Sequence, residues 1–209
     1  MLDPGKNTCQ WVPRKGGQIL VPLFATGPSL ATVGGKRVVR MTREQSMVSV
    51  GAGLPAALPF TLSAVCAWDA GGAGGAVMSS RDVGAYNQWS LNSSTGRMEV
   101  RLAGQLGASA NPTVDYRDAV LRHHMWCFDG TTHRFFVNGV AVGVQQASGN
   151  PQPSFADLRL RVGGSSSAGS DYSAPMAGHI MSLAVFDVDL SADPGQFDAF
   201  SGYIAGRMA

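Results

Sequence analysis

Two glycine turns, Asp129-Gly130 and Asn138-Gly139, divide the segment from Ala119 to Val144 into three short runs rich in aromatic and β-branched residues. Asp-Gly and Asn-Gly tolerate the positive φ that type I′ turns require, and such turns match the twist of two paired strands. The spacing predicts a three-stranded antiparallel meander, with strands over 119–128, 131–137 and 140–144. A chain built round such a meander must bury a sheet face, and the remaining segments must supply strands to join it.

They supply them. Phe60–Trp68 alternates large and small side chains, and Met98, Val100 and Leu102 share one face while Arg97, Glu99 and Arg101 share the other. That second pattern is a half-buried antiparallel strand. Asp157–Val162 alternates in the same way, and Gly178–Asp187 predicts a long final strand. Shorter runs at 37–41, 46–50, 76–80 and 87–91 read as strands, while 163–173 reads as a small polar loop. The 27 glycines and 11 prolines provide the turns that so many short strands need. At the C-terminus the period changes. Ser191 and Asp193 are N-cap candidates, Pro194 suits a first helical turn, and Phe197, Phe200, Ile204 and Met208 recur at helical spacing. A chain of 209 residues fits one sandwich domain. The expected fold is all-β: a two-sheet antiparallel jelly-roll sandwich with a short C-terminal helix.

Residues 1–35 are punctuated by Pro4-Gly5, Pro13, Gly16-Gly17, Pro22, Gly27-Pro28 and Gly34-Gly35. They read as an irregular N-terminal arm or a set of very short strands, ahead of a jelly-roll domain over 36–209. The arm carries Trp11, Leu20, Leu23 and Phe24, an apolar set that water does not tolerate as a contiguous exposed patch. These residues must pack on the domain itself or on a neighbour, in which case they form the assembly element.

Charge excludes some partners. The net charge of +2 and the absence of a Lys/Arg run predict no nucleic-acid partner. No apolar stretch reaches transmembrane length, so no membrane partner is expected. The first residues, Met1-Leu2-Asp3-Pro4-Gly5, lack the basic and apolar regions of a signal peptide, and no export by that route is expected. Cys9, Cys66 and Cys127 are far apart without a C-x-x-C pair, and Cys66 and Cys127 lie in apolar strands as small buried hydrophobes.

The landmarks along the chain resemble the concanavalin A-like, laminin G-like domains. Trp126-Cys127-Phe128-Asp129-Gly130-Thr131 followed by Phe135-Phe136-Val137-Asn138-Gly139 is similar to their central meander, although His123-His124-Met125-Trp126 displaces the usual order of Trp and His. Phe60–Val65 resembles the early inner strand, and Leu160-Arg161-Val162-Gly163-Gly164 the strand before the last loop. Gly178-His179-Ile180, Val185-Phe186-Asp187, Leu190-Ser191 and Gly202-Tyr203-Ile204 follow the family's ending. Leu2-Asp3-Pro4, Trp11 and Lys36–Arg40 resemble a subgroup found in phage and bacterial surface proteins.

The resemblance implies a fold shared with glucanases, which makes catalysis a question for the residues. Glycoside hydrolysis needs two carboxyl groups roughly 5–9.5 Å apart. The family's laminarinase-type enzymes carry E-x-D-x-x-E on one strand, whereas this chain has two Glu, Glu44 and Glu99, in no such motif. Asp187 and Asp189 read as a strand end and turn, and Asp115 and Asp118 as loop residues. No G-x-S-x-G or G-x-x-x-x-G-K-[ST] occurs. His123, His124, His133 and His179 lack zinc-ligand spacing, and His124 and His133 read as a strand-surface pair across the Asp129-Gly130 hairpin. Asp82, Asp129 and Asp171 are loop acids too scattered to make the calcium site that the resemblance brings to mind. No catalytic residue, metal or cofactor is expected.

Sugar contacts are expected from loop aromatics and amides: Tyr86, Asn87, Trp89 and Tyr172, with Trp89 equally a core residue by its alternation with Leu91. What the resemblance implies is a non-catalytic structural or binding module. The expected setting is the surface of a tailed-phage virion, as a head decoration or a tail or fibre protein. Its expected partners there are other virion proteins and further copies of itself, with cell-surface glycan as a ligand. The alternative is a carbohydrate-binding, lectin-like adhesion protein of bacterial origin.

Overall fold

Every residue of the strand Phe60–Trp68 is buried, on both faces, and this strand sits in the middle of a seven-stranded sheet. The computed structural model describes residues 20–22, 27–43, 45–50, 59–72, 74–81, 89–93, 99–102, 105–109, 114–146, 159–167, 170–173 and 175–209. In chain order the strands are β1 (Leu20–Pro22), β2 (Ser29–Val33), β3 (Lys36–Met41), β4 (Met47–Ser49), β5 (Phe60–Trp68), β6 (Gly75–Arg81), β7 (Trp89–Ser93), β8 (Glu99–Leu102), β9 (Gln105–Ser109), β10 (Arg122–Phe128), β11 (Thr132–Val137), β12 (Val140–Gln146), β13 (Arg159–Val162), β14 (Ser165–Ser167), β15 (Ser170–Ser173) and β16 (Gly178–Phe186). A 3-10 turn at Leu190–Ala192 leads into the helix α1 (Pro194–Met208).

Two seven-stranded sheets face each other. The first runs β1-β4-β13-β6-β7-β8-β9 and the second β12-β11-β10-β5-β16-β3-β2, and β14 and β15 form a separate hairpin. All pairings are antiparallel. Strand neighbours such as β5 and β16, far apart in sequence, give the crossed connections of a jelly roll, which confirms the fold class expected from the alternation.

The core between the sheets contains Phe60, Leu62, Trp68, Met78, Leu91, Trp126, Phe128, Phe135 and Val162. Phe60 meets the Trp126 ring edge-on at 5.0 Å and Phe128 at 5.8 Å. The Trp68 indole N–H donates to the Gly75 carbonyl at 2.9 Å, so its one polar atom is satisfied inside the core. A second apolar cluster lies on the other side of β10, where Met125, Cys127 and Leu190 pack with Phe136, Phe186, Phe197 and Phe200. Strand alternation explains both: Trp126 and Phe128 point between the sheets, and Met125 and Cys127 point out to α1. The helix starts as the sequence indicates, with Asp193 accepting from the Gln196 N–H at 3.1 Å and Pro194 in the first turn. Cys66 and Cys127 are free and buried. Burial pushes the Cys127 thiol up to about 11, and Cys66 higher still.

Several boundaries differ from those read in the sequence. Asn138 and Gly139 both take positive φ, 51° and 78°, as a type I′ turn demands. At the first hairpin only Gly130 does, at 106°, and the strands resume at the pair Phe128–His133. Here the Asp129 carboxylate accepts from the backbone N–H groups of Thr131 and Thr132, both at 2.8 Å, and that Asx cap replaces the two-residue turn. Ala119 has φ 62°, so β10 begins only at Arg122. The stretch 163–173, read as a loop, contains the β14–β15 hairpin, and β9 lies where no strand was expected. β1 and β2, short strands of the kind the sequence allowed for residues 1–35, pair with β4 and β3 in the two sheets.

The histidines are placed differently too. His124 is paired with Val137 and His133 with Phe128, so the two stand apart along the hairpin and do not oppose each other. His124 lies inside the sandwich, edge-on to Trp68 at 5.0 Å and Tyr116 at 5.3 Å. His133 stacks on Phe128 at 4.4 Å and accepts the Trp126 indole N–H on Nδ1 at 3.2 Å, which leaves its proton on Nε2. His123 faces α1, against Phe200 at 5.6 Å, with Ser63 Oγ at 2.9 Å from Nε2. Burial lowers all three, His123 and His133 to about 4 and His124 to about 3.

Two predictions come from this packing. A Cβ at Gly139 meets nothing nearer than Ser201 at 3.6 Å, whereas one at Gly75 falls 2.1 Å from the Pro175 carbonyl oxygen, and both glycines have positive φ. Gly139→Val should therefore cost the backbone strain alone, about 1–3 kcal/mol. Gly75→Ala adds a backbone collision to the strain and should cost about 4 kcal/mol or more. Chemical denaturation of the two variants measures the difference, and equal costs would contradict this geometry. The second prediction concerns acid. A histidine held neutral by burial stabilises the fold fully above its unfolded value near 6.5, and that contribution is lost as pH falls through the window down to 4. At pH 5 each of the three should cost about 2 kcal/mol. Together they approach the whole stability of a typical domain. Denaturation at pH 7.5 and pH 5 reads this directly, and an unchanged unfolding free energy would show that the imidazoles protonate within the fold.

Candidate functional site

The two sheets expose very different outward faces. That of the second sheet is covered along β10, β11 and β16 by α1: Phe197 packs on Phe136 at 4.5 Å and Phe200 on Phe186 at 5.0 Å. Among the described residues no helix lies over the first sheet. Its inward positions are fixed by Met47, Met78, Leu91 and Val162, all in the core, so alternation sends their strand neighbours outward. The register then builds a row across five strands: Val48 on β4, Arg161 on β13, Ser79 on β6, Ser90 on β7 and Arg101 on β8. Beside it, Arg159 on β13 is the cross-strand partner of Arg81 on β6. On the other side, past a bulge in β6, Asn92 on β7 pairs with Glu99 on β8. The register thus brings four arginine positions and one acid to this side of the sheet.

Burial varies along it. Ser79 and Arg161 are fully buried, and Val48 nearly so, while Arg159 at the end of β13 is exposed. Ser79 Oγ donates to the Gly164 carbonyl at 2.9 Å, and the Gly163 N–H donates to the Val77 carbonyl at 3.0 Å. Gly163 has φ 82°, a conformation that suits glycine and lets the chain leave β13 beside β6. The hydroxyl of Ser79 thus holds the root of the β14–β15 hairpin against the outward side of β6. Tyr172 lies on β15 of that hairpin.

The expected sugar-contact residues are distributed as follows. Tyr86 and Asn87 lie outside the described residues. Trp89 opens β7 at a position of the same parity as the core residue Leu91, and its partner across the strand is Leu102. Of the expected assembly residues, Trp11, Leu23 and Phe24 lie outside the described residues, and Leu20 is buried in the domain's own core as the partner of Ser49. Sequence reasoning missed the arginine positions Arg81, Arg101, Arg159 and Arg161. The alternation of Asp157–Val162 exposed the pattern on one strand, but only the pairing of β13 with β6 and of β7 with β8 puts the four on one face.

Several of the described carboxylates are engaged in holding the fold. Arg40 forms two hydrogen bonds with Asp69, at 2.6 and 2.7 Å. Arg117 pairs with Asp115 and Arg122 with Asp118. Arg134 bridges Asp129 at 2.8 Å and Asp189 at 3.1 Å. Burial pushes Asp129 up, but hydrogen bonds from Thr131, Thr132 and Arg134 outweigh it and hold its carboxyl well below the usual range. The Arg117 side chain lowers Asp115 to about 2. Asp189 also caps the 3-10 turn, accepting from the Ser191 N–H at 2.9 Å. Asp82 lies outside the described residues and Asp171 is on β15. Among the described residues no group of three or more His, Cys, Asp or Glu side chains is placed to hold a metal ion, and no helix is long and apolar enough to cross a membrane.

No curated protein matches the chain in sequence. Solved structures do match in fold. Domain 4 of AbnA, an extracellular arabinanase from Geobacillus stearothermophilus solved with arabinotriose, is similar with a TM-score of 0.63 at 11% identity, over 83% of this chain and 81% of that one. The heptameric pentraxin of Limulus polyphemus gives 0.56 at 17% identity, over 66% and 67%. The CBM40 domain of a Ruminococcus gnavus sialidase, bound to α2,3-sialyllactose, gives 0.53 at 15% identity, over 68% and 82%. A family model covers residues 43–194, from just after β3 to the first residue of α1. With that match spanning both sheets, the chain belongs to the concanavalin A-like lectin/glucanase superfamily.

Proposed function

We propose that this chain is a non-catalytic glycan-binding module. The observation that carries this reading is the fold itself: a two-sheet sandwich of the concanavalin A-like superfamily, with α1 packed over one of the two sheets. Sugars are recognised by convergent polar groups on a preformed surface, and a sheet supplies such a surface at little ordering cost. Two solved relatives of the fold were crystallised with oligosaccharides, arabinotriose and α2,3-sialyllactose. A third is described as the receptor-binding domain of botulinum neurotoxin type G. The engagement of Asp115, Asp118, Asp129 and Asp189 in ion pairs and caps supports the absence of hydrolysis, because a general acid and its partner must be left to face the substrate.

The setting is proposed from the resemblance of Leu2-Asp3-Pro4, Trp11 and Lys36–Arg40 to phage and bacterial surface proteins: a virion surface, as a decoration, tail or fibre protein among other virion proteins and further copies of itself. Mass spectrometry of purified particles tests it.

The function is tested by a glycan array with the full chain, followed by calorimetry on the strongest ligands. Binding of at least one oligosaccharide class in the micromolar to millimolar range is expected, with no release of reducing ends on prolonged incubation. An array without a signal above background would sink the binding role. Turnover abolished by a single Asp substitution would sink the non-catalytic one.

A further inference from the structure

Each of the two large sheets ends in two edge strands, and the edge of a strand is a row of backbone donors and acceptors on which another strand can pair. Three of the four edges carry features that discourage such pairing. β1 has three residues, the last of them Pro22, whose nitrogen has no proton to donate. β9 meets β8 with a bulge between Val100 and Arg101. β2 lies against a row of cations, with Lys36, Arg37 and Arg40 as the partners of Val33, Thr32 and Ser29.

β12 has no such protection at its outer end. It runs for seven residues, Val140–Gln146, without a proline or a charged side chain. Among the described residues it pairs on one side only, with β11. Val140 and Val144 are 65% and 66% exposed, more than any other large apolar residue described, and both belong to this strand. A register shift opposite Phe135 and Phe136 makes Val142 an extra residue, and Val142 packs against the core. Beyond that bulge Gly143–Gln146 is regular and pairs in turn with Phe135, Arg134, His133 and Thr132. The Gln146 side-chain amide donates to Thr132 Oγ1 at 3.1 Å and holds the end of the strand in the sheet. A β-branched side chain exposed on a regular strand is stabilised when a second strand covers it.

The chemistry of the strand selects what covers it. A foreign strand is chosen by charge or by pockets for its side chains, and β12 offers no charge to read. A second copy needs none. Antiparallel pairing about a two-fold axis sets the strand against itself, and an uncharged strand meets its copy without like-charge repulsion. Residues opposite each other in such a pair share a face, so the axis must pass through a residue that stands opposite its own copy. Val144 fits that place. It lies in the regular part of the strand and points outward like its β11 partner Arg134, since the neighbouring Phe135 is in the core. The Arg134 charge is already engaged by Asp129 and Asp189, so it does not oppose the approach of a copy.

We infer that two copies of this chain join edge to edge through β12, with Val144 against Val144 and the two second sheets running on as one. The inference stands apart from the glycan-binding reading and gives the proposed self-association its surface.

Sedimentation equilibrium of the full chain between about 1 µM and 1 mM tests it, with Val144→Lys and Val144→Glu alongside. Strand pairing is a small interface, so the dimer should form with a Kd of about 10–100 µM. Salt should change it little, because no charges meet. Each variant alone should stay monomeric with the wild-type circular dichroism spectrum, since residue 144 is exposed and a like charge then faces its copy. An equimolar mixture of the two variants should dimerise again, because each lysine then faces a glutamate. A wild-type chain still monomeric at about 1 mM overturns the inference. A dimer that persists in both variants lies elsewhere and overturns it too. Loss in both variants without recovery on mixing overturns the register that sets Val144 against its copy. None of these outcomes depends on the glycan array, whose failure would leave this contact standing.

Discussion

Phe60, Trp126 and Phe128 meet edge to face at the centre of the sandwich, on two adjacent strands of the second sheet. Each such contact adds about 0.5–1.5 kcal/mol to the burial of the rings. More importantly, the contact fixes register. A shift of one residue between β5 and β10 would turn Phe60 and Trp126 away from each other and expose an entire apolar face. The same register places Met125 and Cys127 on the far side of β10, where Leu190, Phe197 and Phe200 cover them. One strand thus ties together the interior of the sandwich and the seat of the helix, and the rest of the architecture is arranged round it.

That arrangement decides where the helix can sit. Phe136 and Phe186 extend the outer apolar patch across β11 and β16, so the helix belongs on the second sheet. The corresponding positions of the first sheet are Ser79, Arg161, Ser90 and Arg101, which offer no apolar seat. The charges follow the same division. Aspartates in the loops of the second sheet engage its arginines and stiffen the turns, as Asp129 does with Thr131, Thr132 and Arg134.

The buried histidines illustrate how context overrides chemistry. In water an imidazole titrates near neutrality and ligates metals readily. Here His124 is enclosed by Trp68 and Tyr116, and His133 lies flat on Phe128. Both act as aromatic packing units whose neutral form the interior enforces, and neither is positioned as part of a ligand set.

Local pattern determined much of this protein. The Asn138-Gly139 turn, the alternation of Arg159–Val162, the long buried strand at Phe60–Trp68 and the cap at Asp193 with Pro194 could all be read along the chain, because each depends on residues close in sequence. The family resemblance was visible for the same reason, as a succession of local motifs. What local pattern could not supply was everything that depends on pairing. The Asx cap at Asp129 lengthened a hairpin that its Asp-Gly dipeptide suggested was tight, and that moved His133 opposite Phe128. β1 and β2 found partners in β4 and β3 despite their breakers. The outward face of the first sheet was the least legible part. Arg81, Arg101, Arg159 and Arg161 stand far apart in the chain, separated by loops and whole strands, and each alone is an unremarkable polar position on an alternating strand. Only the hydrogen-bonded order β13-β6-β7-β8 brings them onto one surface, because strand order is set by long-range burial of the opposite, apolar face rather than by anything the arginines do themselves.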